Sequence, residues 1–471
     1  MDPSFGSPAP VEAVAATGRP AEAKGASHEG TGTDLRWFIE ALRGEGLLVD
    51  VRRSVSLDRE LGAVLRACEK DGKAALFHSI EGHSTPVVGG ALGSRRGAAV
   101  ALRCAVDELF DRVRTATESP TAPRVVADAP SQQRAHDPVD LTRLPVPVHA
   151  PGDSGAFINA GVVIARDPDT GRHNLSFNRM QIFDETTAGM NMNTWRDMDE
   201  FLRRAEEQGH GLPFAVAIGV DPVLLMAAAF RYDDGDEYEI AGALRGAGIS
   251  VVPARTADLL VPAEAEFVLE GEIIAGDRRD EGPMAEFTGH YSGTRPQPIA
   301  KVHAITHRDD PIYQTIAGAS SEHLLLGASL MREPRLHSTV RLMSPRVVDV
   351  RLPGSGFAAY VSLADPRAGE ARSVAIAALS FHANTKCVIV VDDDIDLDDP
   401  ADMMWALATR VRWERDCTTI PGALGNPLDP SSDSDSVQTK VIIDATIGPD
   451  RRGDYQKVIY PSVDLRQYLE P

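Results

Sequence analysis

The chain has 471 residues, 43% of them hydrophobic and 25% charged, a globular composition with length for two or three domains and a large core. Its 69 acidic against 48 basic residues leave a net charge of −21, which repels phosphate backbones and argues against a nucleic-acid partner. Four dispersed cysteines without a CxxC pair exclude a disulfide scaffold or zinc–thiolate site and fit a reducing cytoplasm; no apolar run reaches the roughly 18 residues of a membrane span, and no basic-then-apolar leader opens the chain.

Residues 1–33, mostly Ala, Gly, Pro, Ser and Glu without periodicity, read as a flexible tail. Order begins at Asp34, a candidate N-cap. Leu35, Phe38, Ile39 and Leu42 then recur at helical spacing up to Gly44. Short buried strands at 47–51, 74–78 and 85–89, with helices at 98–104 and 105–115, make 34–115 a small α/β domain. A Pro-rich connector runs from Pro120 to Pro147. Strand-like stretches follow at 157–165, 173–177, 214–218, 266–274, 301–307 and 312–317, with a hairpin loop at 166–174 and an inserted helix at 194–208. This texture predicts an antiparallel sheet or barrel within 116–325. From 326 to 471 the pattern returns to α/β, with strands at 346–352, 360–363 and 387–391 and helices at 370–381 and 401–415. Asp399 and Pro400 are placed to open the second helix. The fold class is therefore mixed α/β (α+β) in three parts.

No P-loop, GxSxG or HExxH occurs. His303 and His307 share a strand face but stand roughly 13 Å apart, too far to grip one ion. Four polar segments carry the chemistry. In "HNLSFNRMQ", Asn174 and Arg179 fall on opposite strand faces unless a bulge intervenes; a polar strand end is the plainer reading. In "DDGDEYEIAGALRG", Glu237 and Glu239 open a helix or decorate a charged turn. In "DEGPMAEFTGHYSG", Glu281 and Glu286 bracket a Gly-Pro corner. If they converge on one pocket, both cannot ionise cheaply, and one keeps a raised pKa and serves as an acid; otherwise they mark a surface turn. In "TKCVIVVDDDIDLDDP", Lys386, one of few lysines, opens a buried strand that ends in an acidic run.

Together these segments resemble the UbiD-type decarboxylases, collinearly from Asp34 to about Gly448. "DLRWFIEALRGEGLLVDV", "STPVVGGALGSRRGAAVAL", "LPFAVAIGVDP", "VPAEAEFVLEG" and "DDDIDLDDPADMMWALATR" extend the match. The resemblance implies a central split barrel of flavin-reductase type between N- and C-terminal α/β units, and prenylated FMN as cofactor. It also implies a divalent ion, Mn²⁺ or Mg²⁺, on the flavin phosphate, with K⁺ nearby. By motif, Asn174 and Glu237 are metal ligands. The family's third ligand, a His, falls on Asp197, which either ligates or caps its helix. The catalytic trio maps to Arg179, Glu281 and Glu286. Arg179 would hold the substrate carboxylate by a bidentate fork, Glu281 would orient Arg179, and Glu286 would protonate the carbon that loses CO₂. Ser176, Arg196 and Lys386 match cofactor-contacting positions, Lys386 at the phosphate.

The implied activity is non-oxidative, reversible decarboxylation of an aromatic, heteroaromatic or α,β-unsaturated acid. A flavin prenyltransferase would supply the cofactor, and the implied assembly is a homodimer or a multiple of dimers. Arg-rich, Ala-rich usage and the Asp197 departure point to specialised-metabolite work, such as trimming an unsaturated acid end of a polyketide in antibiotic biosynthesis. A non-catalytic subunit of a carboxylase assembly and an ordinary FMN redox enzyme are the alternatives.

Overall fold

The structure, a computed structural model, describes residues 32–448 apart from 195, 231, 233, 234, 355 and 434, and a few positions beyond 448. The tail expected over 1–33 therefore lies almost wholly outside the described residues. The first helix is Leu35–Gly44. The Asp34 carboxylate accepts from Trp37 N at 2.9 Å, and Leu35, Phe38, Ile39 and Leu42 are all buried, so cap and stripe act as their spacing predicts.

The N-terminal sheet runs Leu48–Val51, Ala74–Phe77, Val87–Gly89 and then Tyr313–Thr315, which joins parallel to Val87–Gly89. The stretch read at 312–317 as a barrel strand thus belongs to the first sheet. Tyr313, Gln314 and Thr315 are all buried, so no alternation marked which sheet would take them.

The central sheet is nine-stranded and curled. Its order is Phe157–Ile158, Met180–Ile182, Thr187–Met190, Arg295–His307, Phe267–Glu281, Leu212–Ile218, Val162–Arg166 and His173–Phe177, with Arg134–Ala135 pairing Arg295–His307. The strand expected at 157–165 is two strands lying far apart in this order. The chain breaks at Gly161, where a Cβ would stand 2.4 Å from Val216 Cγ1, so only glycine lets the backbone press that close. The long hairpin of Phe267–Glu281 and Arg295–His307 contains bulges at Glu270/Gly271 and Ile273/Arg278, which bend it around the core.

The C-terminal sheet runs Val347–Arg351, Ala358–Leu363, Cys387–Asp392, Val437–Ala445 and Cys417–Leu424. Along Cys387–Asp392 the two faces separate. Val388 and Val390 pack with Val374 and Ala375 of Glu370–Ser380, whereas Ile389 and Val391 pack with Met403 and Ala406 of Pro400–Arg410. The helix expected over 401–415 stops at Arg410, because Val411 turns extended, and a separate turn covers Trp413–Asp416. Among the described residues no helix is long and apolar enough to cross a membrane.

Candidate active site

Arg179 and the two glutamates meet. Its Nε donates to Glu281 Oε1 at 2.7 Å and its Nη2 to Glu281 Oε2 at 3.0 Å, while Nη1 pairs with Glu286 Oε1. Nη2 also reaches Ser292 Oγ at 3.1 Å, and the guanidinium lies 5.9 Å from the Phe157 ring centroid. The parity problem between Asn174 and Arg179 disappears because the strand ends at Phe177 and the next begins at Met180. Arg179 sits in the gap and is free of the alternation.

The hairpin delivers the acids. Glu281 ends Phe267–Glu281, opposite Arg295, with no solvent exposure, and also accepts from Asn191 Nδ2 at 3.3 Å. Gly282 then turns the chain at φ +90°, where a Cβ would stand 2.8 Å from Gly293 O. A tight loop holds Glu286 in place, its N–H donating to His290 O at 2.8 Å around Gly289 at φ +84°.

Two carboxylates facing one guanidinium leave the cluster formally negative. Burial pushes the Glu286 carboxyl up, Arg179 pulls against that, and the Glu281 charge adds to it. Burial opposes the Arg179 charge most strongly, but the hydrogen bonds and charges of Glu281 and Glu286 together outweigh it and hold the guanidinium ionised. The arrangement keeps a cation for binding and a carboxyl inclined to retain its proton. One expectation needs correction. The bidentate edge of Arg179 is taken by Glu281, so a substrate carboxylate would meet the Nη1 side that Glu286 now occupies.

A second group is rich in oxygen. Asn174 Nδ2 donates to Ser176 Oγ at 3.1 Å, and Ser176 Oγ to Asn178 Oδ1 at 2.7 Å, a polar row along one face and the end of His173–Phe177. This is an edge strand, so its outward Leu175 N–H is free of the ladder, and Glu237 Oε2 accepts it at 2.8 Å. Glu237 is the first residue of helix Glu237–Arg245, capped by Asp236. It is buried and has no cation partner among the described residues. Burial, with Asp236 and Asp197 adding charge, raises it to about 8. Asp197 belongs to the same neighbourhood, but not as a cap. The helix is Asp197–Glu207 with Arg196 at the N-cap, and Asp197 takes Arg172 Nη2 at 3.3 Å. A buried carboxylate this costly to ionise, with the Asp197 charge acting on it, suits a hard divalent cation.

Arg196 is exposed at that N-cap, and its charge acts on Arg332 and His382. Lys386 stands apart. Its Nζ lies 2.8 Å from Asp429 and also bonds Ser431 Oγ, and it touches none of the other candidates among the described residues.

Sequence reasoning passed over Ser292, Asn178, Phe287 and Arg172, since single polar or aromatic residues in loops carry no spacing. Asn191 had a signal, lying in the unusual "AGMNMNTW" segment. A cavity of about 360 Å³ runs past Ala285, His290 and Tyr291 on the loop that carries Glu286.

The chain is also similar to known proteins over most of its length. The chain matches the N-terminal domain of 3-octaprenyl-4-hydroxybenzoate carboxy-lyase over 39–117, its Rift-related domain over 124–320 and its C-terminal domain over 326–445. It is 35% identical to the anhydromevalonate phosphate decarboxylase of Methanothermobacter thermautotrophicus, covering 88% of this chain and 96% of that one. It is 34% identical to the phenolic acid decarboxylase of Bacillus subtilis, covering 92% and 97%. The UbiD-class enzyme HmfF of Pelotomaculum thermopropionicum, solved with FMN, superposes at a TM-score of 0.89 with 37% identity, covering 93% of this chain and all of that one. An evolved dimeric form of it, solved with prFMN, gives 0.85 and 35%, with the same coverage. With its three domains matched in order and an arginine held between buried Glu281 and part-buried Glu286, the chain belongs to the UbiD family of carboxy-lyases.

Proposed function

We propose that this carboxy-lyase acts non-oxidatively and reversibly on an aromatic, heteroaromatic or α,β-unsaturated carboxylic acid, with prenylated FMN, Mn²⁺ or Mg²⁺, and K⁺. The observation that carries the reading is the charge imbalance at Arg179, one buried cation against Glu281 and Glu286. When bound, the flavin supplies the electron sink that decarboxylation requires. The chain does the rest. Arg179 Nη1 orients the substrate carboxylate, Glu281 and Ser292 hold the guanidinium in place, and Glu286 donates the proton that replaces CO₂.

Asn174, Glu237 and Asp197 would hold the divalent ion through oxygen. The buried Glu237 carboxylate, which meets no cation among the described residues, supports this assignment. Ser176 and Arg196 would line the cofactor side. A flavin prenyltransferase would supply the cofactor, and we infer a cytoplasmic homodimer. Relatives are named for phenolic acids and for anhydromevalonate phosphate, so the class of acid varies among them. Within it we assign a specialised-metabolite substrate, an unsaturated acid end of a polyketide.

The test is to produce the protein with a flavin prenyltransferase and record its absorption spectrum. CO₂ release is then assayed from cinnamic, dienoic, pyrrole and hydroxybenzoic acids. A modified flavin with CO₂ release from one class is expected. Ordinary oxidised FMN, or bound prenylated flavin without turnover of any acid, rejects the proposal.

A further inference from the structure

The corner that carries both acids has little regular structure of its own. After Glu281 the chain passes Gly282, Pro283, Met284 and Ala285 outside any strand or helix, with one isolated bridge between Ala285 and Tyr291. Met284 and Ala285 are nevertheless buried, so their backbone groups must find partners elsewhere. Met284 finds Ser292, its N–H donating to Ser292 Oγ at 3.1 Å and its carbonyl accepting from Ser292 N at 2.8 Å. The remaining fastenings come from outside the Arg179 cluster. Gly282 N donates to Gln181 Oε1, Ser154 N to Pro283 O and Ala285 N to Asp153 Oδ1, each at 2.9 Å. These holders are themselves joined, because Gln181 Nε2 donates to Ser154 Oγ at 2.9 Å and Gln181 pairs with Phe157 across two strands.

The bond at Ala285 acts closest to the reacting carboxyl. Ala285 directly precedes Glu286, so the place of its peptide sets where the Glu286 side chain starts. Asp153 is oriented before it reaches Ala285. Its Oδ2 accepts from Ala150 N at 2.9 Å, and its own N–H donates to Ala150 O at 3.1 Å. On the other side of the acid, Glu286 N donates to His290 O at 2.8 Å. That second bond lies within the loop and moves with it. A loop's internal bonds fix its shape, whereas its place is fixed by a bond to another segment, and Asp153 stands 132 residues away in sequence.

We propose that Asp153 is a positioning residue for Glu286. Its carboxylate pins the Ala285 peptide and so holds the Glu286 carboxyl against Arg179, in place to give its proton to the carbon that loses CO₂. Proton donation depends steeply on placement, and a displacement of about 1 Å can cost on the order of 10²-fold in rate. The proposal rests on the decarboxylase reading and adds to it a residue that acts through Glu286.

The test compares Asp153→Ala with Asp153→Asn in flavin-loaded protein. Alanine removes both acceptors, whereas asparagine keeps one oxygen for Ala285 N. In Asp153→Ala, kcat for CO₂ release should fall by about 10–100-fold, while KM and flavin per chain stay within about twofold. The solvent deuterium isotope effect on kcat should rise, because proton donation becomes the slower step. Asp153→Asn should stay within about threefold of the wild-type kcat. Amide hydrogen exchange over residues 282–287 should quicken at least about tenfold in Asp153→Ala and not in Asp153→Asn. If Asp153→Ala does not fold, Asp153→Ser, too short to reach Ala285, reads the same quantities. An unchanged kcat overturns the proposal, as does a kcat that falls only in step with bound flavin, or an asparagine variant no better than alanine. Unchanged exchange in Asp153→Ala overturns it even in a preparation that turns over no acid, so this failure is distinct from failure of the decarboxylase reading.

Discussion

Two of the arginine clusters inside this protein do opposite things. Arg245 meets one acid. Its Nε donates to Asp221 at 2.9 Å, Nη2 also pairs with Asp221, and Nη1 reaches Ala101 O at 3.2 Å. Asp221 in turn caps helix Pro222–Ala228. Charges cancel, donors are satisfied, and nothing is left to react. Arg179 meets two acids, so the cluster cannot be neutral unless one keeps a proton, and Glu286 is the one pushed up. Between these two sites the difference is a single extra carboxylate.

That contrast can be broken experimentally. Glu286→Gln keeps the shape and removes the proton donor; kcat should fall by about 10²–10⁴ with flavin content unchanged, measured as CO₂ release per bound flavin. The same acid sets the pH dependence. Because burial raises Glu286 above the ordinary carboxylate range, decarboxylation should hold on the acid side and decline as pH rises through that raised value. A rate–pH profile with the opposite slope would remove Glu286 from its role.

In the first cluster, Arg245→Met leaves Asp221 buried and unpaired; stability should drop by about 3–5 kcal/mol in denaturant titration, with turnover per folded molecule unchanged. Arg179→Lys keeps the charge but loses the forked geometry. A fall of about 10–100-fold in kcat/KM is expected, since one or two charged hydrogen bonds are lost. Smallest is Arg114→Ala. This exposed arginine pairs with Asp111 and Glu118 at 3.0 Å on one helix, and its removal should shift stability by less than about 1 kcal/mol. A larger loss there would mean that ion-pair count rather than burial governs this fold.

Local signals fared best where one element contains its own explanation. Asp34 and Asp399 cap the helices they were expected to cap, and the hairpin of Val162–Arg166 with His173–Phe177 closes through the expected turn. The strand at 157–165 could not be divided from sequence, because the reason for its break is Val216, more than fifty residues away and pressed against Gly161. Asp197 misses the capping role because its helix begins at Asp197 itself rather than just after Thr194, and its carboxylate pairs with Arg172.

By itself the sequence determined the mixed α/β texture and, through its family resemblance, that Arg179, Glu281 and Glu286 should meet, since motif order along a chain survives without coordinates. Tertiary structure alone decided which edge of Arg179 is already taken and that Lys386 is held by Asp429. Those facts depend on burial and on distances between residues remote in the chain. Charge balance is a property of a volume, and sequence specifies that volume only after the chain has closed around it.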